Sequence, residues 1–460
     1  MAIVLTEGTI VTASDCYQAD LRIDNGRIAA IGVDIVRPGD EIINVGGCFI
    51  FPGGIDPHTH FDLSVGFTRT ADDFASGTAA AAAGGTTTII DFATQDKGGS
   101  LRDALSEWHK KADGNSFVDY GFHLAICDLR PSVVAEMDEV IGQGVSSFKF
   151  YMAYKDILQV EDGVLLAAMK AAKNNNGLIC LHCENGDVIA SLVKESIAGG
   201  KSAPRYHSVT RPAILECEAV NRALCLARLA QIPLYIVHVS SADALEVIER
   251  AKAKGLPVYA ETGTQYLLLD EACYQSDDLT AAKFVMSPPL RSAEDKEALW
   301  RGLRNGMLST IASDHCSFNL AGQKDLGIND FSKIPNGAPG VEDRFGLMYS
   351  YGVATGLLTL NEFVAVCSTN AAKIFGLYPF KGTIAVGSDA DIVVWDPQVK
   401  RTITAQDQVQ RVDYNAYEGF AQQGSARFVF LRGKLIAESG RLSAGMPTGQ
   451  YIKRNIFRGG

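Results

Sequence analysis

The sequence lacks an excess of positive charge: 42 Lys+Arg stand against 53 Asp+Glu, a formal net charge of −11, and the basic residues form no cluster. That argues against nucleic acid or an anionic membrane as the main partner and leaves a small molecule as the expected one. Long apolar runs are missing as well. The opening stretch MAIVLTEGTIVTASD has no basic start and no uninterrupted apolar segment, so neither a secretory signal nor a membrane span is expected, and the cytoplasm is the expected location. Paired metal-finger spacing is absent among the ten cysteines. Scattered through apolar segments such as LICLHCE and AICDL, they read as reduced core residues. Cys180, Cys183 and Cys316 stand close to histidines or to Asp314, and they read as packing too, because the ligands considered below complete a site without thiolates.

What is present is a chain of 460 residues, 47% hydrophobic and 21% charged, which is ordinary for a soluble protein and long enough for one large domain and one smaller one. Residues 1–51 read as short strands broken by turns, with a hairpin signal in ADLRI-DNG-RIAAIG. Residues 379–440 repeat that texture in SDADIVVWD and ARFVFLRGKLIAE, so the two ends are expected to meet as one small sheet domain. Between them, in residues 52–378, apolar runs alternate with helical stretches. The runs are IDPHTHFD, TTTIIDFA, YGFHLAI, SSFKFYMA, GLICLHCE, PLYIVHVS, PVYAET and TIASDH. SVVAEMDEVIGQG and SADALEVIERAKAKG carry apolar residues at a helical period. Eight such units predict an α/β fold, a (β/α)8 TIM-like barrel. The polar, Gly- and Pro-rich stretch 316–345 reads as an active-site loop after the last strand.

Barrel chemistry is built at the C-terminal ends of the strands. The polar residues closing the runs are His58 and His60, then Lys149, His182, His238 and Asp314. His58 and His60, two apart on a strand, point the same way and form a fork for a metal. A lone His-x-His is weakly specific; four histidines and an aspartate, closing different strands of one barrel, point to a metal site. Lys149 lies mid-run in a segment that reads as buried. An ammonium cannot ligate a cation, but a position facing imidazoles and metal favours the neutral amine. That amine can take up carbon dioxide to give a carbamate able to bridge two metals. His109, His123 and His207 read as surface, core and loop residues, and His315 is expected to point to the opposite side of the strand from Asp314.

GGIDPHTHFD, SSFKFYMAY, LHCE, IVHVSS, ASDH, MSPPLR, IPNGAPGVEDR and GTIAVGSDADIVVWDP together resemble the dihydropyrimidinase and D-hydantoinase family of the amidohydrolase superfamily, over nearly the whole chain. The resemblance implies that the two chain ends form a β-sandwich beside the barrel. It implies two zinc ions, one held by His58, His60 and Asp314 and the other by His182 and His238, bridged by carboxylated Lys149 and a hydroxide. Asp314 would shuttle the proton and Tyr154 would donate to the developing oxyanion; from sequence alone Tyr154 reads equally as a packing aromatic. Ser287 and Asn336 would contact a cyclic ureide or imide through backbone groups, and read equally as turn residues. The tail 441–460 would help to build a homotetramer.

Dihydroorotases share the metal pattern but carry an arginine just after the His-x-His pair, where this chain has Phe61 and Asp62. A neutral ring is therefore the expected substrate: a 5,6-dihydropyrimidine or a 5-monosubstituted hydantoin, opened to an N-carbamoyl amino acid. Allantoin is the nearest rival, and a metal-free structural homologue is the rival outside the enzymes. Leu63, Val65 and Phe67, in the loop 63–73, either line a subsite for the ring substituent or anchor the loop.

Overall fold

The computed structural model describes residues 2–276 and 278–457. The eight apolar runs are parallel strands: β1 (Gly54–Thr59), β2 (Thr86–Thr94), β3 (Asp119–Ala125), β4 (Ser147–Tyr151), β5 (Leu178–His182), β6 (Leu234–Ile236), β7 (Val258–Gly263) and β8 (Thr310–Ala312). They pair in sequence order. The His60 N–H donates to His315 O at 2.9 Å and Thr59 bridges His315 in parallel, which closes β8 onto β1. Both faces of the sheet are covered, which is why the runs are continuously apolar rather than alternating. The expected helices are there. Pro131–Gly142 starts on a proline, whose missing N–H costs nothing in a first turn. Ala242–Ala253 is capped by the Ser241 side chain, which accepts from the Ala244 N–H, and it turns Leu245, Val247 and Ile248 inward.

The two chain ends build the smaller part together. Ile392–Thr402 pairs antiparallel with Phe49–Pro52, setting Ile392 opposite Pro52 and Val394 opposite Ile50. With Ala421–Leu431, Lys434–Glu438, Arg441–Leu442, Thr9–Val11 and Cys16–Gln18 these form a seven-stranded sheet. A four-stranded sheet (Ile3–Thr6, Asp20–Asp24, Arg27–Gly32, Glu41–Asn44) accompanies it. Leu5, Ile10, Leu21, Ile50, Ile392 and Phe430 are buried in one shared cluster, so the second layer of the sandwich is present. Its hairpin turns at Asn25 and Gly26, with φ of 49° and 79°, the left-handed pair that a two-residue loop requires.

Three expectations need correction or refinement. His207 is not a loop residue: it is buried in a one-turn helix, Tyr206–Val209, and bonds to Met286 O at 2.7 Å. The 316–345 stretch is more ordered than its polar composition suggests, with short helical turns at Lys324–Gly327 and Phe331–Lys333 and with Lys324, Asp343 and Arg344 fully buried. The tail lies along its own barrel. Ile452 N–H donates to Tyr120 O at 2.8 Å, Arg454 N–H to Gly144 O at 3.1 Å and Asn455 N–H to Gly376 O at 3.0 Å. The last three tail residues, 458–460, lie outside the described residues.

Candidate active site

Backbone turns decide where the strand-end side chains meet. His58 is still within β1 and His60 stands one residue past it, with ring centroids 5.1 Å apart. His238 and Asp314 lie two residues beyond β6 and β8 in left-handed backbone, with φ of 38° and 50°. Non-glycine residues adopt that region uncommonly, and it concentrates at functional sites. The turns bring Asp314 Oδ1 to 3.2 Å from His58 Nε2 and 3.4 Å from His60 Nε2. His182 Nδ1 lies 3.0 Å from His238 Nε2. His58, His238 and Asp314 each offer a ligand atom within 4.8 Å of the others.

Lys149 is fully buried, with its Nζ 4.7 Å from the Phe92 ring centre and 5.1 Å from that of Tyr151. Burial lowers its pKa to about 8, against the opposing pull of Asp314 and Glu261, so the neutral amine is accessible near physiological pH. Burial likewise holds His58 and His238 well below the usual imidazole range, and neighbouring positive groups add to it. For Asp314 burial pushes upward, but His58, His60 and Lys149 outweigh it and the carboxyl ends below its ordinary value.

Two carboxylates behind this layer orient the imidazoles. Glu261 on β7 stands 2.6 Å from His58 Nδ1, and Tyr235 Oη donates to its other oxygen at 2.8 Å. Glu184 stands 2.8 Å from His182 Nε2. Each occupies one ring nitrogen and leaves the other facing the centre, the arrangement that fixes a metal-binding tautomer. His60 Nδ1 and His238 Nδ1 are buried with no hydrogen-bond partner. Imidazoles, a carboxylate and a lysine able to shed its proton are a donor set that suits borderline divalent cations such as zinc. Neither glutamate stands out in the sequence: Glu261 is next to last in PVYAET and Glu184 ends LHCE, and only the contact with an imidazole singles them out. His315 turns away, with Nε2 3.0 Å from Asp72 Oδ2 and Nδ1 accepting from the Gly340 N–H.

Tyr154, also left-handed at φ 63°, lines a cavity of about 170 Å³ with Ser287, Glu184, Arg211, Ile189 and Val193. Burial holds its phenol protonated. Asn336 is not among that cavity's lining residues, but its turn is tied to the Ser287 turn, since Gly337 N–H donates to Val285 O at 3.0 Å. Phe61, in the position where an arginine would mark a dihydroorotase, is fully buried in the core. A cation reaches the cavity from elsewhere, as Arg211, which no sequence signal indicated; its Nη1 lies 3.2 Å from His207 Nδ1. In the loop 63–73, Leu63 packs against the core while Phe67 is 65% exposed.

A parallel barrel with histidine, lysine and aspartate donors gathered at its C-terminal mouth defines a class, and the chain belongs to it: the amidohydrolase family, whose family model matches residues 49–436. Among curated relatives, the D-hydantoinase of Geobacillus stearothermophilus is 50% identical over 455 residues, covering 99% of this chain and 97% of that one. Among solved structures, the dihydropyrimidinase from Brevibacillus agri NCHU1002 superposes with a TM-score of 0.98 at 47% identity, covering 100% of both chains. The L-hydantoinase (dihydropyrimidinase) from Arthrobacter aurescens follows at 0.89 and 30%, covering 98% of this chain and 99% of that one. The chain thus falls in the D-hydantoinase and dihydropyrimidinase branch that its motifs resemble, and it is a hydrolase of cyclic amides.

Proposed function

We propose that the chain opens the ring amide of 5,6-dihydropyrimidines and 5-monosubstituted hydantoins to N-carbamoyl amino acids at a pair of zinc ions. His58, His60 and Asp314 would hold one and His182 and His238 the other, with Lys149, carboxylated on Nζ, serving both. The observation that carries this reading is Lys149 itself. It is a fully buried amine with no carboxylate at ion-pair distance among the described residues, on a strand paired with the one that ends in His182. Adding carbon dioxide to the neutral amine, with loss of a proton, replaces a costly buried cation by an anion that two cations can neutralise.

Bound zinc supplies an acidified water as nucleophile and polarises the ring carbonyl. The chain's residues do the rest. Asp314, its Oδ1 3.2 Å from His58 Nε2 and 3.4 Å from His60 Nε2, accepts the proton of the attacking water and returns it to the leaving ring nitrogen. Tyr154, kept protonated by burial, donates to the developing oxyanion, a contribution of roughly 3–4 kcal/mol for such donors. The Ser287 and Asn336 turns grip the imide through their backbone groups. The D-hydantoinase relative at 50% identity supports a preference for the D-series, against the L-hydantoinase at 30%. All ten cysteines are free thiols, which supports a reducing cytoplasm; among the described residues no helix is long and apolar enough to cross a membrane. The family resemblance supports a homotetramer.

The test is elemental analysis of metal per subunit together with hydrolysis of dihydrouracil and 5-phenylhydantoin, on wild type and Lys149→Ala. Two zinc ions in wild type, with metal and activity both lost in the variant, are expected. A metal-free wild type that stays inactive when zinc and bicarbonate are supplied overturns the reading.

A further inference from the structure

Lys324 lies ten residues beyond Asp314 in the segment after β8 and is fully buried. No carboxylate stands within ion-pair distance of it among the described residues. Its Nζ donates instead to two backbone carbonyls, Val285 O at 2.9 Å and Pro335 O at 3.1 Å. Val285 precedes Ser287 by two residues, and Pro335 immediately precedes Asn336. The side chain therefore joins the two turns assigned to the substrate imide, and the Gly337 N–H closes the same junction from the other side by donating to Val285 O. At Gly337, where φ is 142°, a Cβ would fall 2.3 Å from Cys316 O, so the second turn also seats directly against the backbone that follows Asp314.

Burying an ammonium without a counter-ion is costly, and an apolar side chain of similar volume would avoid the cost. Burial brings the Lys324 pKa down to about 7. The ammonium and the neutral amine both carry the two N–H bonds that this geometry uses.

We propose that Lys324 is a positioning residue of the substrate site, bridging Val285 and Pro335 so that the Ser287 and Asn336 turns stand at one fixed spacing across the ring imide. Lys324 touches neither metal ligand nor substrate. It acts through the turns, so its removal is felt in substrate binding rather than in metal loading. The proposal rests on the imide-gripping role assigned above to those turns.

The test uses the zinc-loaded full chain with dihydrouracil and 5-phenylhydantoin as substrates, comparing wild type, Lys324→Met and Lys324→Gln. Lys324→Met fills the space without donors, while Lys324→Gln keeps an N–H pair without charge. The expected result is a KM raised about tenfold or more in Lys324→Met, the equivalent of about 1.4 kcal/mol, with kcat within about threefold of wild type and zinc content unchanged. Lys324→Gln should recover most of the loss. An unchanged KM in a folded Lys324→Met, a fall in kcat alone, loss of zinc, or failure of both variants to fold would each overturn the proposal. A wild type that opens neither ring overturns the underlying reading and this proposal together, whereas an active wild type with an indifferent Lys324→Met overturns this proposal alone.

Discussion

Glu342 shows how burial sets the charge that a side chain of this protein can carry. It is 4% exposed and accepts the Val409 and Gln410 N–H groups at 2.9 and 3.1 Å. Burial, reinforced by neighbouring Asp343 and opposed by those N–H donors and Arg401, raises its pKa to about 8. A carboxyl raised on folding contributes stability that is complete below its unfolded value near 4.5 and is lost as pH rises through about 8. Glu342→Gln keeps the acceptor and removes the ionisation, so its Tm relative to wild type should climb between pH 5.5 and pH 8. The gain should be at least about 1 kcal/mol, since a tenfold change in an acid constant on folding is worth about 1.4 kcal/mol. Thermal melts of both proteins at the two pH values check this, and a constant difference would show that Glu342 is not held protonated. The same reasoning explains what the sequence could and could not reveal about the site. An amine inside an apolar strand run is conspicuous, so Lys149 is legible. Glu261 and Glu184 are not, because an acid at a strand end has several ordinary uses and only its contact with an imidazole singles it out.

Among the elements, the helix Phe74–Gly84 makes the sharpest test of packing against propensity. Gly77 sits in its interior, where alanine would ordinarily gain about 0.5–1 kcal/mol. A Cβ there would fall 2.3 Å from Cε1 of Phe61, and overpacking of that kind costs about 1–3 kcal/mol. Gly77→Ala should therefore lower Tm by a few degrees, and by displacing Phe61, which adjoins His60, it should weaken metal retention in parallel. A higher Tm would mean that the helix moves aside freely. Strands and helices themselves were readable because apolar runs and a helical period of apolar residues are local signals. The left-handed turns at Tyr154, His238 and Asp314 were not: glycine announces such backbone, tyrosine, histidine and aspartate do not. The two short helical turns and the buried charged residues of the 316–345 segment were hidden for a related reason. Its polar residues bond inward, as Lys324 does, and composition alone reads them as solvated.

At the scale of the whole molecule, residues 451–455 of the tail engage Tyr120, Gly144 and Gly376 of their own barrel through backbone groups, so those groups are not offered to a neighbouring subunit. A mass of four subunits, 49.3 kDa each, is expected by light scattering, and a monomer mass would remove the homotetramer. The pairing of Phe49–Pro52 with Ile392–Trp395 reaches further, into synthesis. Residues 392 and 52 are 392 − 52 = 340 positions apart, and at about 5–20 residues per second a ribosome needs on the order of 20–70 s to cover that distance. Throughout that interval the strand leading into the barrel can be flanked by Thr9–Val11 on one side only. A nascent chain thus carries a bare β-edge ahead of its barrel until translation is nearly complete, the kind of edge that invites pairing with a second chain.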